Sequence, residues 1–303
     1  KDIIIFGKNS IIAKNFTESP NNSKNNLIFL TRYKSLDNDL ECFLDKKLSE
    51  SSLSNISKKI IDLYKFKNQV FILFAWSGRP RTTSLNDSSW IKNKNIVRNF
   101  LQISQKLLPS KIIFISSTSL YSENKNIFFS ESDPTNPNSD YSKQKLIAEK
   151  DIENFSNKNN ILLSILRVSS AYGFDSRFSD QGVINKWLYD ALKYGEIKLL
   201  NSKESKINFI SFEQITRAIF YFIDKTLVGT YNIGSQNSIT LETIIQEIER
   251  VTKKKLKINI INEQNRNVNI NTNKFFKSTG IKFKNEVIYN IESICKSIIK
   301  ELN

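Results

Sequence analysis

Short runs of consecutive apolar residues alternate with amphipathic stretches through the first half of the chain. The apolar runs predict buried strands at residues 2–6, 27–30, 70–75, 111–115 and 161–166. The amphipathic stretches predict helices at residues 10–17, 53–64, 90–108 and 141–155. Apolar strands that alternate with helices are typical of a parallel sheet covered on both faces. With right-handed crossovers, this order predicts a doubly wound α/β fold.

After about residue 167 the pattern becomes a mixture of helices and short strands. The predicted helices are 183–194, 212–225, 240–254 and 288–302, the predicted strands are 207–210, 229–234 and 256–261, and a polar loop covers 173–180. We therefore expect residues 1–167, with a contribution from 207–233, to form the α/β domain. Residues 168–206 and 234–303 are expected to form a smaller mixed α+β lobe.

Composition narrows the class of protein and its partners. The 303 residues are 39% hydrophobic and 11% aromatic, which is enough to bury a sizeable core. The net charge of +15 is compatible with an anionic partner, but the lysines are scattered rather than clustered. We expect neither nucleic acid nor a membrane as partner. Two distant cysteines, Cys42 and Cys295, and an N-terminus without signal-peptide features favour the cytoplasm.

The chain contains no histidine. This excludes Ser-His-Asp triads, Cys-His dyads and histidine-based zinc sites, and no other metal motif is present, so no metal is expected. Any catalytic acid or base must be Tyr, Lys, Asp, Glu or Cys.

The first predicted strand is followed by a candidate phosphate-binding turn. Gly7, Ser10 and Ala13 have the spacing G-x-x-G-x-x-G, although only the first is glycine. Such a turn brings the backbone close to a pyrophosphate, which the helix N-terminus then holds through its N–H groups. The expected binding residues are Gly7, Asn9, Ser10, Ile11 and Ile12. The alternative is an ordinary strand-to-helix turn.

The residues after the second strand bear on the choice of cofactor. An acidic residue there would bind the adenosine ribose hydroxyls, but the sequence has Thr31 and Arg32. An arginine at this place favours the 2′-phosphate of NADP over NAD. The alternative is that Arg32 is a solvated loop cation.

A serine-rich segment and a Tyr-Lys pair form the candidate catalytic group. Ser117 follows the strand 111–115, and Tyr141 and Lys145 lie four residues apart on one predicted helix face. A neighbouring ammonium is expected to lower the pKa of the tyrosine and let it act as acid or base. A Tyr-Lys pair by itself is common on helix surfaces, so the interpretation depends on the order of all these features along an α/β chain.

The chain resembles the extended short-chain dehydrogenases/reductases of the NAD-dependent epimerase/dehydratase type. The resemblance is carried by IIIFGKNSIIAKNF, VFILFAWSG, KIIFISSTSLYS, ESDPTNPNSDYSKQKLIAEK and LRVSSAYG, and continues through INFISFEQITRAIFYFI, GTYNIGS and INTNKFFKSTGIKF. It implies a Rossmann dinucleotide-binding domain followed by a substrate-binding lobe. The cofactor would be NADP or NAD. The substrate would be a nucleotide sugar. The resemblance leaves open whether the protein forms a homodimer.

The resemblance also assigns roles to residues. Ser117, Tyr141 and Lys145 would be catalytic, and Tyr141 and Lys145 would also contact the cofactor. Asn95 would support Lys145 through water. The remaining cofactor-lining residues would be Thr31, Arg32, Phe74, Ala75, Trp76 and Val168, and the substrate residues would be Ser77, Thr118 and Ser170.

Departures from the family pattern restrict the expected reaction. Thr118 and Ser119 stand where the family's dehydratases carry Asp-Glu, and Ser170 stands where epimerases often carry Asn. We therefore expect a 4-ketoreductase or an epimerase rather than a dehydratase. The alternatives are a non-catalytic dinucleotide-binding protein of the same fold and, on charge alone, a nucleic-acid-binding protein that uses Arg79 and Arg81.

Overall fold

The computed structural model describes residues 1–32, 39–78, 88–121, 128–174 and 182–302. Its strands are β1 (Asp2–Phe6), β2 (Asn26–Thr31), β3 (Asp39–Glu41), β4 (Gln69–Leu73), β5 (Lys111–Ser117), β6 (Phe128–Phe129), β7 (Leu162–Val168), β8 (Ser170–Tyr172), β9 (Glu196–Leu199), β10 (Lys206–Ile207), β11 (Phe209–Ser211), β12 (Gly229–Ile233), β13 (Ile239–Thr240), β14 (Lys257–Ile260) and β15 (Asn267–Ile270). Its helices are α1 (Ile11–Thr17), α2 (Glu50–Asp62), α3 (Ser88–Leu107), α4 (Asp140–Lys158), α5 (Val183–Tyr194), α6 (Phe212–Asp224), α7 (Leu241–Thr252), α8 (Asn273–Thr279) and α9 (Val287–Leu302).

A seven-stranded sheet with the order β12-β7-β5-β4-β1-β2-β3 is the centre of the fold. β1 pairs in parallel with β2 on one side and with β4 on the other, and all five of its residues are buried. The strand order reverses beside β1, and in sheets of this kind ligands bind at the carboxyl ends of the strands next to such a reversal. The predicted doubly wound α/β fold is confirmed.

One compact unit contains residues 1–120, 136–167 and 216–231. Its core forms where the apolar faces of α2, α3 and α4 cover the sheet, with α2 packed on α3 and α3 on α4. Phe6 of β1 contacts Phe71 of the neighbouring strand and meets Phe100 of α3 edge-on, at ring-centroid distances of 5.3 and 4.8 Å. The consecutive apolar residues that predict these strands are therefore buried from both faces.

The second compact unit contains residues 121–135, 168–215 and 232–303. Its core is built mainly by α5, α7 and α9, which pack on one another through fully buried residues such as Ile184, Ile244 and Ile291. β9 pairs with β14, and β6 joins β15, β10 and β13 in a four-stranded sheet. Because β6 pairs with β15, residues 121–135 belong to this unit and not with 1–120. The dinucleotide-binding and substrate-binding roles of the two parts stay predictions.

Several element boundaries differ from the sequence prediction for identifiable reasons. The predicted strand 70–75 ends at Leu73, because the backbone N–H groups of Phe74 and Ala75 both donate to the Phe6 carbonyl. The predicted strand 207–210 is divided into β10 and β11. Between them the Asn208 side chain exchanges hydrogen bonds with the backbone of Ser235.

Some predictions fall outside the described residues. Of the predicted loop 173–180 only residues 173–174 are described, and Arg79 and Arg81 are not described. Within the described ranges, no helix combines the length and apolarity needed to cross a membrane.

Candidate active site

The turn after β1 has the tight geometry that its sequence predicts. Gly7 has a φ of +98°, and a Cβ added to it would lie 2.5 Å from the backbone nitrogen of Ala75. Only glycine fits both the backbone conformation and this close approach. Ser10 caps α1 by accepting a hydrogen bond from the Ala13 N–H at 3.1 Å, and Ala13 is fully buried. Ile11 and Ile12 form the first turn, where N–H groups lack intrahelical acceptors.

Hydrogen bonds from two side chains connect this turn to β2 and β3. Lys8 Nζ bonds both carboxylate oxygens of Asp39, at 2.8 and 3.0 Å, and Asp39 is fully buried at the start of β3. Asn9 Nδ2 donates to Thr31 Oγ1 at the end of β2, at 3.4 Å. Sequence reasoning did not find the Lys8–Asp39 pair, since 31 residues separate the partners.

Arg32 follows β2, as predicted, but it already has an acidic partner. Its Nη2 lies 2.7 Å from Asp45 Oδ2, and its side chain is 52% exposed. Arg32 is thus neither the partly buried group that would bind a phosphate most strongly nor an isolated solvated cation. Its role toward NADP stays a prediction.

The segment after β4 contains residues with different surroundings. Phe74 is buried and its ring packs against Phe16 at 5.9 Å, so this side chain belongs to the core.

The backbone of Ser77 exchanges hydrogen bonds with the side-chain amide of Asn93 in α3, and Asn93 also donates to Gln144 Oε1 at 2.6 Å. The assignment of Asn95 as the helix asparagine of the site does not fit this geometry, since the Asn95 amide donates to the Asp45 carbonyl. Asn93 lies two residues earlier and faces the site.

Tyr141, Lys145 and Trp76 come together at the start of α4. Ser139 caps this helix by accepting a hydrogen bond from the Ser142 N–H, and the residues Tyr141 and Lys145 follow one turn apart. Lys145 is 4% exposed, and its Nζ donates to the Ile115 carbonyl at 2.7 Å. The Trp76 ring lies 3.8 Å from this ammonium and meets the Tyr141 ring edge-on at a centroid distance of 6.4 Å. A second ring, that of Phe114, lies 4.7 Å from the same ammonium.

Ser117 lies at the end of β5, two residues after the carbonyl that Lys145 contacts. Its Oγ accepts a hydrogen bond from the Ser119 N–H at 3.1 Å in a short 3-10 turn formed by Thr118–Leu120. Thr118 is 7% exposed, which leaves its side chain little access to solvent.

The pKa values of the Tyr-Lys pair contradict the sequence prediction. Burial raises the pKa of Tyr141 to about 12, although the sequence predicts a lowered value. Burial also lowers the pKa of Lys145 to about 7, against an opposing effect of the Glu149 carboxylate. The reason is that desolvation disfavours both charged forms, which outweighs the attraction that adjacency alone suggests. In this structure Tyr141 is therefore protonated at neutral pH, and burial disfavours the charged form of Lys145.

Two predicted residues lie in the second unit. Val168 is the last residue of β7 and is buried, and Ser170 begins β8, where its N–H donates to the Asn208 carbonyl at 3.1 Å. Their roles toward cofactor and substrate stay predictions.

The first unit fits a nicotinamide dinucleotide in two respects. Gly7 leaves a cradle that a Cβ would fill, as close backbone approach to a pyrophosphate requires. In the same unit, Trp76 Nε1 and Gln144 Nε2 are buried without a hydrogen-bond partner among the described residues. Buried donors of this kind are normally satisfied, so a ligand with polar groups would complete the site. No group of three potential ligand side chains for a metal occurs among the described residues.

Comparisons with known proteins support the same interpretation. Residues 3–234 match the model of the NAD dependent epimerase/dehydratase family. The dTDP-4-dehydro-6-deoxyglucose reductase of Escherichia coli is 31% identical over 147 residues, or 48% of this chain. The matched part covers 46% of that reductase, so the chain spans less than half of its length.

Solved structures share the fold over the whole chain. UDP-glucuronic acid 4-epimerase from Bacillus cereus, in complex with UDP-glucuronic acid and NAD, has a TM-score of 0.84 at 18% identity, with 100% of both chains covered. dTDP-glucose 4,6-dehydratase from Bacillus anthracis, in complex with NAD, has a TM-score of 0.80 at 19% identity, with 99% of this chain and 96% of that one covered. At these identities the likeness shows the fold. Together with the family match over residues 3–234, it shows that the chain belongs to the NAD-dependent epimerase/dehydratase family.

Proposed function

We propose that this protein is an NAD(P)-dependent oxidoreductase that acts on a nucleotide-activated sugar, as a 4-ketoreductase or an epimerase. The observation that carries the proposal is the contact of Trp76 with both Tyr141 and Lys145, beside the strand that ends at Ser117. The similar reductase and epimerases are named for dTDP- and UDP-linked sugars, which supports the same substrate class.

Each of the three predicted catalytic residues has a definite task in this proposal. A nicotinamide dinucleotide, when bound, would supply the hydride chemistry at a sugar carbon. Tyr141 exchanges the proton of the hydroxyl on that carbon, and Ser117 holds the same oxygen through a hydrogen bond. Lys145, in its charged form, binds the nicotinamide ribose and favours the Tyr141 phenolate.

Reduction of a 4-keto sugar is the better-supported of the two reactions. With a pKa raised to about 12, Tyr141 holds its proton at neutral pH and is ready to donate it to an oxygen that gains negative charge. The relative with the 31% match is named as a reductase.

The Tyr141→Phe variant tests the assignment directly. It removes one oxygen, so the fold and the cofactor affinity should persist while turnover falls by about 10²–10⁴-fold. Turnover would be measured with NADH and NADPH on UDP- and dTDP-linked 4-keto sugars, and binding of each cofactor by fluorescence titration. Tyr194→Phe, which makes the same change at an exposed tyrosine of α5, is the control. Near wild-type turnover of Tyr141→Phe would show the proposal to be wrong.

For the cofactor, we propose a preference for NADP over NAD that depends on Arg32. A charged hydrogen bond to the 2′-phosphate contributes about 1.5–3 kcal/mol, and the half-exposed position of Arg32 places the expected value at the lower end. Arg32→Ala should weaken NADP binding about tenfold and leave NAD binding unchanged. Equal losses for both cofactors, or no loss, would remove the basis for the preference. The comparison of NADP with NAD affinity is informative because the similar epimerase and dehydratase were solved in complex with NAD.

A non-catalytic dinucleotide-binding protein of the same fold is the second candidate. One observation favours it: the Lys145 Nζ already donates to the Ile115 carbonyl, a contact within the protein that a catalytic lysine would have to exchange for, or share with, the nicotinamide ribose. Cofactor binding without hydride transfer to any nucleotide sugar tested, in the wild-type protein, would select this candidate.

A further inference from the structure

A buried ionic network includes Glu149, which lies one turn after Lys145 on α4. The Glu149 side chain is only 5% exposed. Its carboxylate accepts two hydrogen bonds from Arg167 of β7, from Nε at 3.2 Å and from Nη2 at 2.8 Å. The same carboxylate accepts a third hydrogen bond from the Ser116 hydroxyl of β5. Two full charges are thus buried where α4 covers the sheet.

Stability alone does not account for this pair. Desolvation of two buried ions offsets most of their mutual attraction, and well-packed apolar residues often serve as well or better in the same place. The position of Glu149 on α4 instead relates the pair to Lys145. Glu149 and Lys145 share one helix face, where side chains four residues apart are adjacent.

The groups that face Lys145 define its electrostatic environment among the described residues. On its own helix these are Tyr141 and Glu149, one turn before and one turn after it, and Arg167 of β7 is paired with Glu149. From the strands, the Ile115 carbonyl accepts its hydrogen bond, and the rings of Trp76 and Phe114 lie against its ammonium. The Glu149 carboxylate is the negative charge of this set, because Tyr141 is protonated at neutral pH.

We propose that Glu149 is a positioning residue that raises the charged fraction of Lys145, and that Arg167 and Ser116 hold the Glu149 carboxylate in the orientation this requires. The proposal rests on the proposed function only in assigning Lys145 to the site. It is consistent with the opposing effects on Lys145, whose pKa is lowered by burial and raised by Glu149. Without Glu149, burial would act unopposed by this carboxylate and the charged fraction of Lys145 would be smaller.

The experiment is a titration of Lys145 in the whole protein, without cofactor or substrate. The protein carries ¹⁵N only in its lysines, and the Nζ resonance of Lys145 is identified by its loss in Lys145→Met. In Glu149→Gln the pKa of Lys145 should fall by about one unit, a tenfold change in its proton affinity. Glu153→Gln is the matched control, because it removes the same charge from an exposed position of the same helix and should leave the titration unchanged.

A second variant keeps the proposal falsifiable if Glu149→Gln does not fold with Arg167 unpaired. Glu149→Gln combined with Arg167→Met removes both buried charges, and the pKa of Lys145 should again fall, because Glu149 is the member of the pair that raises it. A Lys145 titration that matches the wild type in these variants overturns the proposal. Failure of the proposed function would appear separately, as undiminished turnover of Tyr141→Phe, and would leave this titration unaffected.

Discussion

At the scale of the residue, the burial of Lys145 makes the stability of the protein depend on pH. Its pKa is lowered to about 7 in the folded state from 10.5, so between these values the unfolded chain binds more protons than the folded one. Stability therefore rises with pH across this interval, and the cost of burying the charge is fully present below its lower end.

Lys145→Met should relieve this cost. We expect the variant to exceed the wild type in free energy of unfolding near neutral pH and below, and to lose this advantage as the pH approaches 10.5. Urea unfolding at several pH values in this interval measures the difference. Lys143→Met, at an exposed position of the same helix, sets the baseline. A difference between Lys145→Met and the wild type that does not vary with pH would contradict the expectation.

At the scale of the element, the N-terminus of α4 orients the candidate site. Ser139 accepts the hydrogen bond of the Ser142 N–H at 3.3 Å, and Ser49 caps α2 in the same way with the Ser52 N–H at 3.2 Å. Loss of either cap should lower the free energy of unfolding by about 1 kcal/mol.

The two caps differ in their effect on the site. Ser139→Ala should also speed hydrogen exchange in the first turns of α4 and reduce turnover, because Tyr141 and Lys145 lie in these turns. Ser49→Ala should destabilise the protein by a similar amount without either effect. Exchange followed by mass spectrometry, with urea unfolding in parallel, makes the comparison. Equal effects of both variants on turnover would mean that α4 is positioned by packing and not by its cap.

At the scale of the whole molecule, the strand order predicts where the structure is most resistant to opening. β1, β4 and β5 lie in the interior of the seven-stranded sheet and carry fully buried residues, whereas β3 is an edge strand. Native-state hydrogen exchange should be slowest in β1, β4 and β5 and much faster in β3, since local opening follows burial. Protection of β3 equal to that of β1 would show that the sheet opens only as a unit.

The sequence was sufficient to predict the class of fold and to propose the main candidate site residues. Uninterrupted apolar runs such as residues 3–6 are typical of strands buried on both faces, and their alternation with helices leaves few topologies. Gly7 was identifiable because a tight turn excludes any side chain, and Tyr141 with Lys145 because helical periodicity puts residues four apart on one face.

The tertiary structure alone decided the environment of those residues, because burial and long-range contacts leave no local pattern. Lys8 meets Asp39 and Glu149 meets Arg167 across segments that the chain brings together only on folding. Asn93 rather than Asn95 faces the site, since the rotation of α3 about its axis is set by packing. The directions in which the pKa values of Tyr141 and Lys145 shift were likewise not predictable from the sequence. Spacing shows which groups are neighbours, but desolvation depends on everything that covers them.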